Sequence, residues 1–273
     1  MRLHVVSDVH GASRELADAA SGADVFVCLG DLLLYLDYQD PSEGAFSEVF
    51  GRELTADYIE LRLAKRFSEA RALTASAWER MYGRDDPGLR MTVFSEIIDR
   101  QYRQIFNDMP APALLTYGNV DLPDLWGKYL RPGHRVLNGE SATIDGLRLG
   151  FVGGGLPSAY RTPNEVAVEE FDALVSAVGP VDVLFSHIPP AIPDLTYDVI
   201  ANRLEVGSTA LLKLIRETQP QYAVFGHVHQ PQAARYRIGR TECINVGHFR
   251  ATRRPFVVDV DALVSGNRTD KDR

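Results

Sequence analysis

Five short apolar runs, each handing over at its carboxyl end to an Asp, Asn or His, constrain this chain more than any other feature. They are RLHVVS (2–7), DVFVCL (24–29), ALLTY (113–117), VDVLFS (181–186) and QYAVFG (221–226), all rich in β-branched and aromatic residues. Helical patterns at about 13–20, 164–177 and 208–218 fall between them, so the rhythm is that of βαβ units with buried central strands. The runs are followed by SDVHG, LGDL, YGNVD, SHIPP and GHVH. In an open α/β sheet the carboxyl ends of parallel strands share one edge, and ligands gather there.

Shorter alternating runs follow residue 130: RVLNG, ATIDG and LRLGFVGG, then ARYRIG, TECINVG and PFVVDV near the end. The turn signals LNGE and IDGL between them predict hairpins on the same body. From about residue 36 to 110 the rhythm changes. Leu54, Tyr58, Leu61 and Phe67, then Phe94, Ile98, Tyr102 and Ile105, recur at spacings of three and four, which predicts an all-helical insertion. The expected organisation is a single domain over 1–265 carrying that insertion, with a frayed polar tail at 266–273.

Composition bounds the function. With 273 residues, 45% of them hydrophobic, the chain can bury a substantial core. A formal charge of −8 argues against a duplex nucleic-acid surface, whose affinity comes from Lys and Arg on phosphates. A small anionic substrate stays open wherever a local positive site outweighs that field. No apolar stretch is long enough for a membrane span, and the amino terminus lacks the zones of a secretory signal. Cys28 and Cys243 both lie in apolar runs, too few for a disulfide framework, so they are expected as buried reduced thiols of a cytoplasmic protein.

Taken singly, the strand-end residues are ordinary. Asp8, His10 and Asp31 read as turn or helix caps and surface groups, Asn119 as a turn residue, and His187 as a satisfied loop histidine. Together and in order, DVH (8–10), GD (30–31), GN (118–119), His187 and GHVH (226–229) resemble the signature of the calcineurin-like metallophosphoesterases. CINVGHFR also looks like that family's Asn-x-Gly turn. The resemblance implies a four-layer α-β-β-α sandwich and two metal ions, from among Mn, Fe, Zn, Ni and Co. Asp31 would bridge them, with Asp8, His10 and His229 on one ion and Asn119, His187 and His227 on the other. Mixed nitrogen and oxygen donors without thiolate suit such ions. The implied chemistry is hydrolysis of a small phosphorylated substrate, a phosphodiester ahead of a monoester or nucleotide, by a metal-bridging hydroxide.

The sequence departs from the family at Val120, where many members place a His that protonates the leaving oxygen. Asp121, next in line, is implied to orient a metal-site histidine, and reads equally as a helix cap before LPDLW. His248 stands where the family has a small residue, and reads either as a replacement acid or as a structural histidine. The insertion leaves the sheet just after Asp31 and reads as a lid, a homo-oligomer contact or a packed hairpin. Arg62, Arg66, Arg71 and Arg100 on it are candidate phosphate contacts by charge alone, and GGGLPS, starting at Gly153, reads as a mouth loop or as a plain loop. The alternative to an enzyme is a catalytically silent scaffold of the same fold that binds protein partners, which would be expected to have lost ligands.

Overall fold

The computed structural model describes residues 1–259; the expected tail at 266–273 lies outside them. The chain divides into two compact units, one formed by Met1–Leu32 with the chain from Ile105 onward, the other by Leu33–Gln104.

In the first unit, β1 (Arg2–Val6), β2 (Val25–Cys28), β3 (Ala113–Leu115) and β4 (His134–Val136) run parallel, and β13 (Phe256–Asp259) closes the edge beside β1 antiparallel, giving the order β13-β1-β2-β3-β4. The second sheet is built of β5 (Glu140–Ile144), β6 (Leu147–Val152), β7 (Val183–Ser186), β10 (Tyr222–Phe225), β11 (Arg235–Ile238) and β12 (Thr241–Asn245), ordered β11-β12-β10-β7-β6-β5. Its centre, β6, β7, β10 and β12, is parallel. A small hairpin, β8 (Tyr197–Asp198) with β9 (Arg203–Leu204), stands apart from both.

Period-two alternation explains how the sheets stack. Leu3, Val5, Val27 and Leu29 from the first sheet meet Leu149, Phe151, Val183, Phe185 and Val224 from the second in one buried cluster, with Phe151 and Phe185 stacked at 5.0 Å between ring centroids. Leu184, Phe225 and Cys243, one residue out of phase, face the other way. They pack under α6 (Val168–Val178) and α8 (Thr209–Thr218) through Phe171, Val175, Leu211 and Ile215. On the first sheet, His4 alternates with Leu3 and Val5 and donates from Nδ1 to the Ala19 carbonyl of α1 (Leu16–Ala20) at 2.7 Å. The result is the expected α-β-β-α layering. Cys28 and Cys243 are free and buried, and burial pushes both thiols up to about 12.

The second unit holds α2 (Ala45–Leu63), broken at Gly51 (φ 78°), α3 (Phe67–Tyr82) and most of α4 (Pro87–Asp108). Its own small core is aromatic: Phe46 stacks on Tyr58 at 4.3 Å, and Trp78 on Tyr82 at 5.1 Å, with Phe50 edge-on to Trp78. The stripe expected in α2 is half-buried at Leu54, Tyr58 and Leu61, whereas Thr55 and Ile59 are fully buried.

The last turn of α4 belongs to the first unit: Phe106 packs on Trp126, and Ser13 Oγ donates to Asp108 Oδ2 at 2.6 Å. One sequence expectation needs correction. LNGE makes no hairpin, since β4 and β5 lie in different sheets. Only Gly139 there has positive φ, and Asn138 is instead engaged through Oδ1, which accepts the Gly153 N–H at 2.8 Å. In IDGL both Asp145 (φ 47°) and Gly146 (φ 81°) are left-handed, and β5–β6 is a true hairpin.

Candidate metal centre

The carboxyl ends of β1, β2, β3, β7, β10 and β12 deliver, in order, Asp8 and His10, Asp31, Asn119, His187, His227 and His229, and His248. At the ends of β2 and β10 the approach is tight enough to demand glycine. A Cβ on Gly226 would meet Ser7 Oγ at 2.0 Å and Asp8 Oδ2 at 2.5 Å, and one on Gly30 would meet the Gly118 nitrogen at 1.9 Å. Asp8, His10, Asp31 and His227 all hold positive φ (58°, 42°, 54° and 66°), a backbone state that non-glycine residues occupy where surrounding structure dictates it, commonly at functional sites.

The side chains converge. Asp31 Oδ2 lies 3.8 Å from His10 Nε2 and 3.5 Å from His187 Nε2. Asp8 Oδ1 is 3.2 Å from His229 Nε2 and 3.9 Å from His10 Nε2, and the two histidine nitrogens are 3.4 Å apart. Asn119 Oδ1 sits 2.8 Å from His187 Nε2 and 2.9 Å from His227 Nδ1. Three groups, Asp8/His10/Asp31, Asp31/His187/His227 and His10/His229/His248, each bring donor atoms within 4.8 Å of one another.

What ties the far side of each ligand decides which atom faces inward. His187 Nδ1 donates to the Leu29 carbonyl at 2.9 Å, so its proton is there and Nε2 presents a lone pair. The Asn119 amide donates through Nδ2 to Thr162 Oγ1 at 3.0 Å, which turns Oδ1 toward the site. Asp31 Oδ1 accepts the Val120 N–H at 2.9 Å and Asp8 Oδ2 the His227 N–H at 2.9 Å, leaving Oδ2 and Oδ1 respectively for the interior. A lone pair on His187 Nε2 against Asn119 Oδ1 at 2.8 Å is repulsive unless a positive centre lies between. A second proton supplies one: burial pushes the His187 imidazole down, but the Asp31 charge and hydrogen bond outweigh it and raise it to about 9. A cation satisfies the same electron-rich atoms, and the nitrogen and oxygen donor set suits a borderline transition ion.

The other groups respond to the same crowding. Burial pushes the Asp8 and Asp31 carboxyls up, yet their histidine partners, His229 and His187 foremost, hold both below the usual range. His227 is lowered by burial and by His187. Burial lowers His248 to about 3, with His229 and His10 adding to it.

Among the described residues Asp121 makes no hydrogen bond to a histidine, and its side chain does not cap α5 (Pro123–Trp126). Its Oδ2 accepts the Asp31 and Gly118 N–H groups at 2.9 and 2.7 Å, and Oδ1 accepts that of Leu32 at 3.0 Å. Burial and the Asp31 charge push its carboxyl up to about 7 against the pull of those amides. It is the peg that locks the β2 and β3 loops together. Asp121→Asn presents an NH2 to at least one amide donor, and should cost about 2 kcal/mol of stability by chemical denaturation. An unchanged unfolding midpoint would contradict this role.

Thr162 and Asn164 escaped the sequence reading. Asn164 Nδ2 donates to the Gly118 carbonyl at 2.9 Å, and Thr162 orients Asn119, both from a loop with no local motif to announce them. Of the arginines singled out by charge, Arg66 pairs with Glu69, Arg100 with Glu48, and Arg62 donates to Tyr58 Oη, all within the helical unit. Arg71 is exposed.

No protein-family model and no curated protein matches the chain. Among solved structures, one crystal structure aligns over 94% of this chain and 98% of its own length with a TM-score of 0.57 at 15% identity. TT1561 of Thermus thermophilus aligns over 95% and 98%, with a TM-score of 0.48 at 13% identity. GAP50, the anchor in the inner membrane complex of Plasmodium, aligns over 90% and 71%, with a TM-score of 0.37 at 12% identity. The first likeness shows a shared α/β sandwich fold, and at these identities the comparison reaches no further than the fold.

Proposed function

We propose that this chain is a dinuclear-metal phosphoesterase of the calcineurin-like type that hydrolyses small phosphodiesters. The observation that carries this reading is Asp31 Oδ2, one carboxylate oxygen set between His10 at 3.8 Å and His187 at 3.5 Å, with a further complement of donors on either side. Asp8, His10 and His229 would hold one cation and Asn119, His187 and His227 the other, Asp31 shared. When bound, such a pair acidifies water near neutral pH and offsets charge on phosphoryl oxygens.

The protein's own contribution is arrangement. The Leu29 carbonyl, Thr162 and the Val120 and His227 amides fix the ligating atoms before any cation arrives. Two carboxylates, Asp8 and Asp31, would face two dications, an excess of positive charge that would draw an anionic phosphate despite the chain's −8. Val120 offers a backbone N–H to Asp31 and no acid to a leaving oxygen. That favours diesters whose leaving groups depart without a proton. The silent-scaffold alternative predicts eroded ligands, and all seven stand and converge. No helix among the described residues is long and apolar enough to cross a membrane.

The test is metal content together with hydrolysis. Protein reconstituted with Mn should retain about two ions per chain and cleave a generic aryl phosphodiester, with rates rising as the leaving-group pKa falls across an aryl series. A protein that takes up no transition ion sinks the assignment. Rates insensitive to the leaving group, with chemistry shown to be rate-limiting, remove the diester preference alone.

A further inference from the structure

His248 was ambiguous in sequence, and its surroundings resolve what it is placed to do. It stands at the entry to α9 (Phe249–Thr252), a segment fastened to the loop that carries Asp8 and His10. The Phe249 and Arg250 N–H groups donate to the Ser7 and Asp8 carbonyls at 3.0 and 3.1 Å, and Arg250 Nη1 donates to the His10 carbonyl at 3.0 Å. Three hydrogen bonds thus fix the ring over one half of the site. The imidazole stacks on His229, centroids 3.9 Å apart and planes 12° apart, and stands edge-on to His10 at 5.6 Å.

That stack decides between two roles. A ring lying face to face with His229 cannot direct an in-plane lone pair at the ion His229 would hold, because the two planes do not meet there. His248 is therefore poorly placed as an eighth ligand. Its Nε2 is nevertheless buried and has no hydrogen-bond partner among the described residues, and the residue itself belongs to a group in which His10, His229 and His248 each bring one ring nitrogen within 4.8 Å of the others. A buried imidazole nitrogen without a partner beside the ligand cluster calls for a partner that arrives with the ligand.

We infer that His248 is a further substrate-contacting residue, its Nε2–H donating to a non-bridging phosphoryl oxygen on the Asp8/His10/His229 side of the centre. This rests on the dinuclear reading and deepens it. It places an imidazole donor on the opposite chain segment from Val120, where the sequence lacks one. The donor binds charge and need not protonate the leaving group, so it complements the preference for diesters with good leaving groups.

The test uses the Mn-loaded full chain with inorganic phosphate as the probe, comparing wild type with His248→Phe and His248→Ala. Phenylalanine keeps the stacked face on His229 and removes the nitrogen; alanine removes both. Both variants should keep wild-type metal stoichiometry by elemental analysis. Both should weaken phosphate, measured by calorimetry and as a competitive inhibitor, about tenfold or more, as expected for a lost hydrogen bond to a charged group. Wild-type phosphate affinity in His248→Phe overturns the inference and leaves stacking as the role. Loss of a metal ion from either variant overturns it in favour of ligation. Failure of the wild type itself to hold metal overturns the dinuclear reading, and this inference with it.

Discussion

Asp31→Asn will leave the protein folded and cost it about a thousandfold in turnover of an aryl phosphodiester, with metal content falling from two ions toward one. The substitution is close to isosteric, and an asparagine oxygen can still accept the Val120 N–H that Asp31 Oδ1 takes at 2.9 Å. What disappears is the shared anionic oxygen between His10 and His187. With the amide oxygen kept on that N–H, the inward position is taken by an uncharged NH2 that has no lone pair to offer, so two dications would repel each other with less between them. Losing one charge-stabilising group at a phosphoryl-transfer site typically costs a factor of about a hundred to a thousand, and loss of an ion adds to it. Thermal unfolding gives a second readout. Mn at about a hundredfold over its dissociation constant should stabilise the wild type by about 2.7 kcal/mol per site, and the variant should lose about half of the total gain. A variant that retains both ions and wild-type turnover would remove Asp31 from the centre of the reading.

The five apolar runs and the edge at which they end were legible because parallel strands obey a simple rule. Apolar runs that end in DVH, GD, GN, SH and GHVH can meet only if their carboxyl ends lie along a common edge, and β1, β2 and β3 in one sheet with β7 and β10 in the other bring them there. The side chains that orient those residues were not legible in the same way. Thr162 reaches Asn119 from 43 positions away, and the Leu29 carbonyl meets His187 across 158; no local pattern encodes either. Asp121 is the instructive middle case. The family resemblance implied a histidine partner for it; in the structure three amide donors claim it, because two loops that approach this closely leave their N–H groups facing inward with no strand to pair with. LNGE failed for a comparable reason. A hairpin signal reports local turn preference, and whether the flanking strands pair is settled by which sheet has room for them.

The same loop-to-loop approach yields a large stability effect in the first unit. A Cβ on Gly118 would stand 2.0 Å from Asp31 Oδ1 and 2.2 Å from the Asp31 nitrogen, far inside contact distance. No rotamer relieves a collision with backbone, and the two loops cannot simply part, because Asp121 Oδ2 holds the Asp31 and Gly118 amides at once. Gly118→Ala should therefore destabilise by about 3 kcal/mol, the upper end for overpacking, lowering Tm by roughly 6–12 °C in a domain of this size. It should also displace Asp31 and so weaken metal uptake. Gly127→Ala is the matching control: nothing lies within 4 Å of its added Cβ, and its backbone is already right-handed helical (φ −51°), so it should stay within about 0.5 kcal/mol of wild type. Differential scanning calorimetry on the pair separates the cases. If Gly118→Ala melts within about a degree of wild type while Gly127→Ala does the same, the GD and GN loops are not locked together as described, and the preorganisation of Asp31 loses its structural basis.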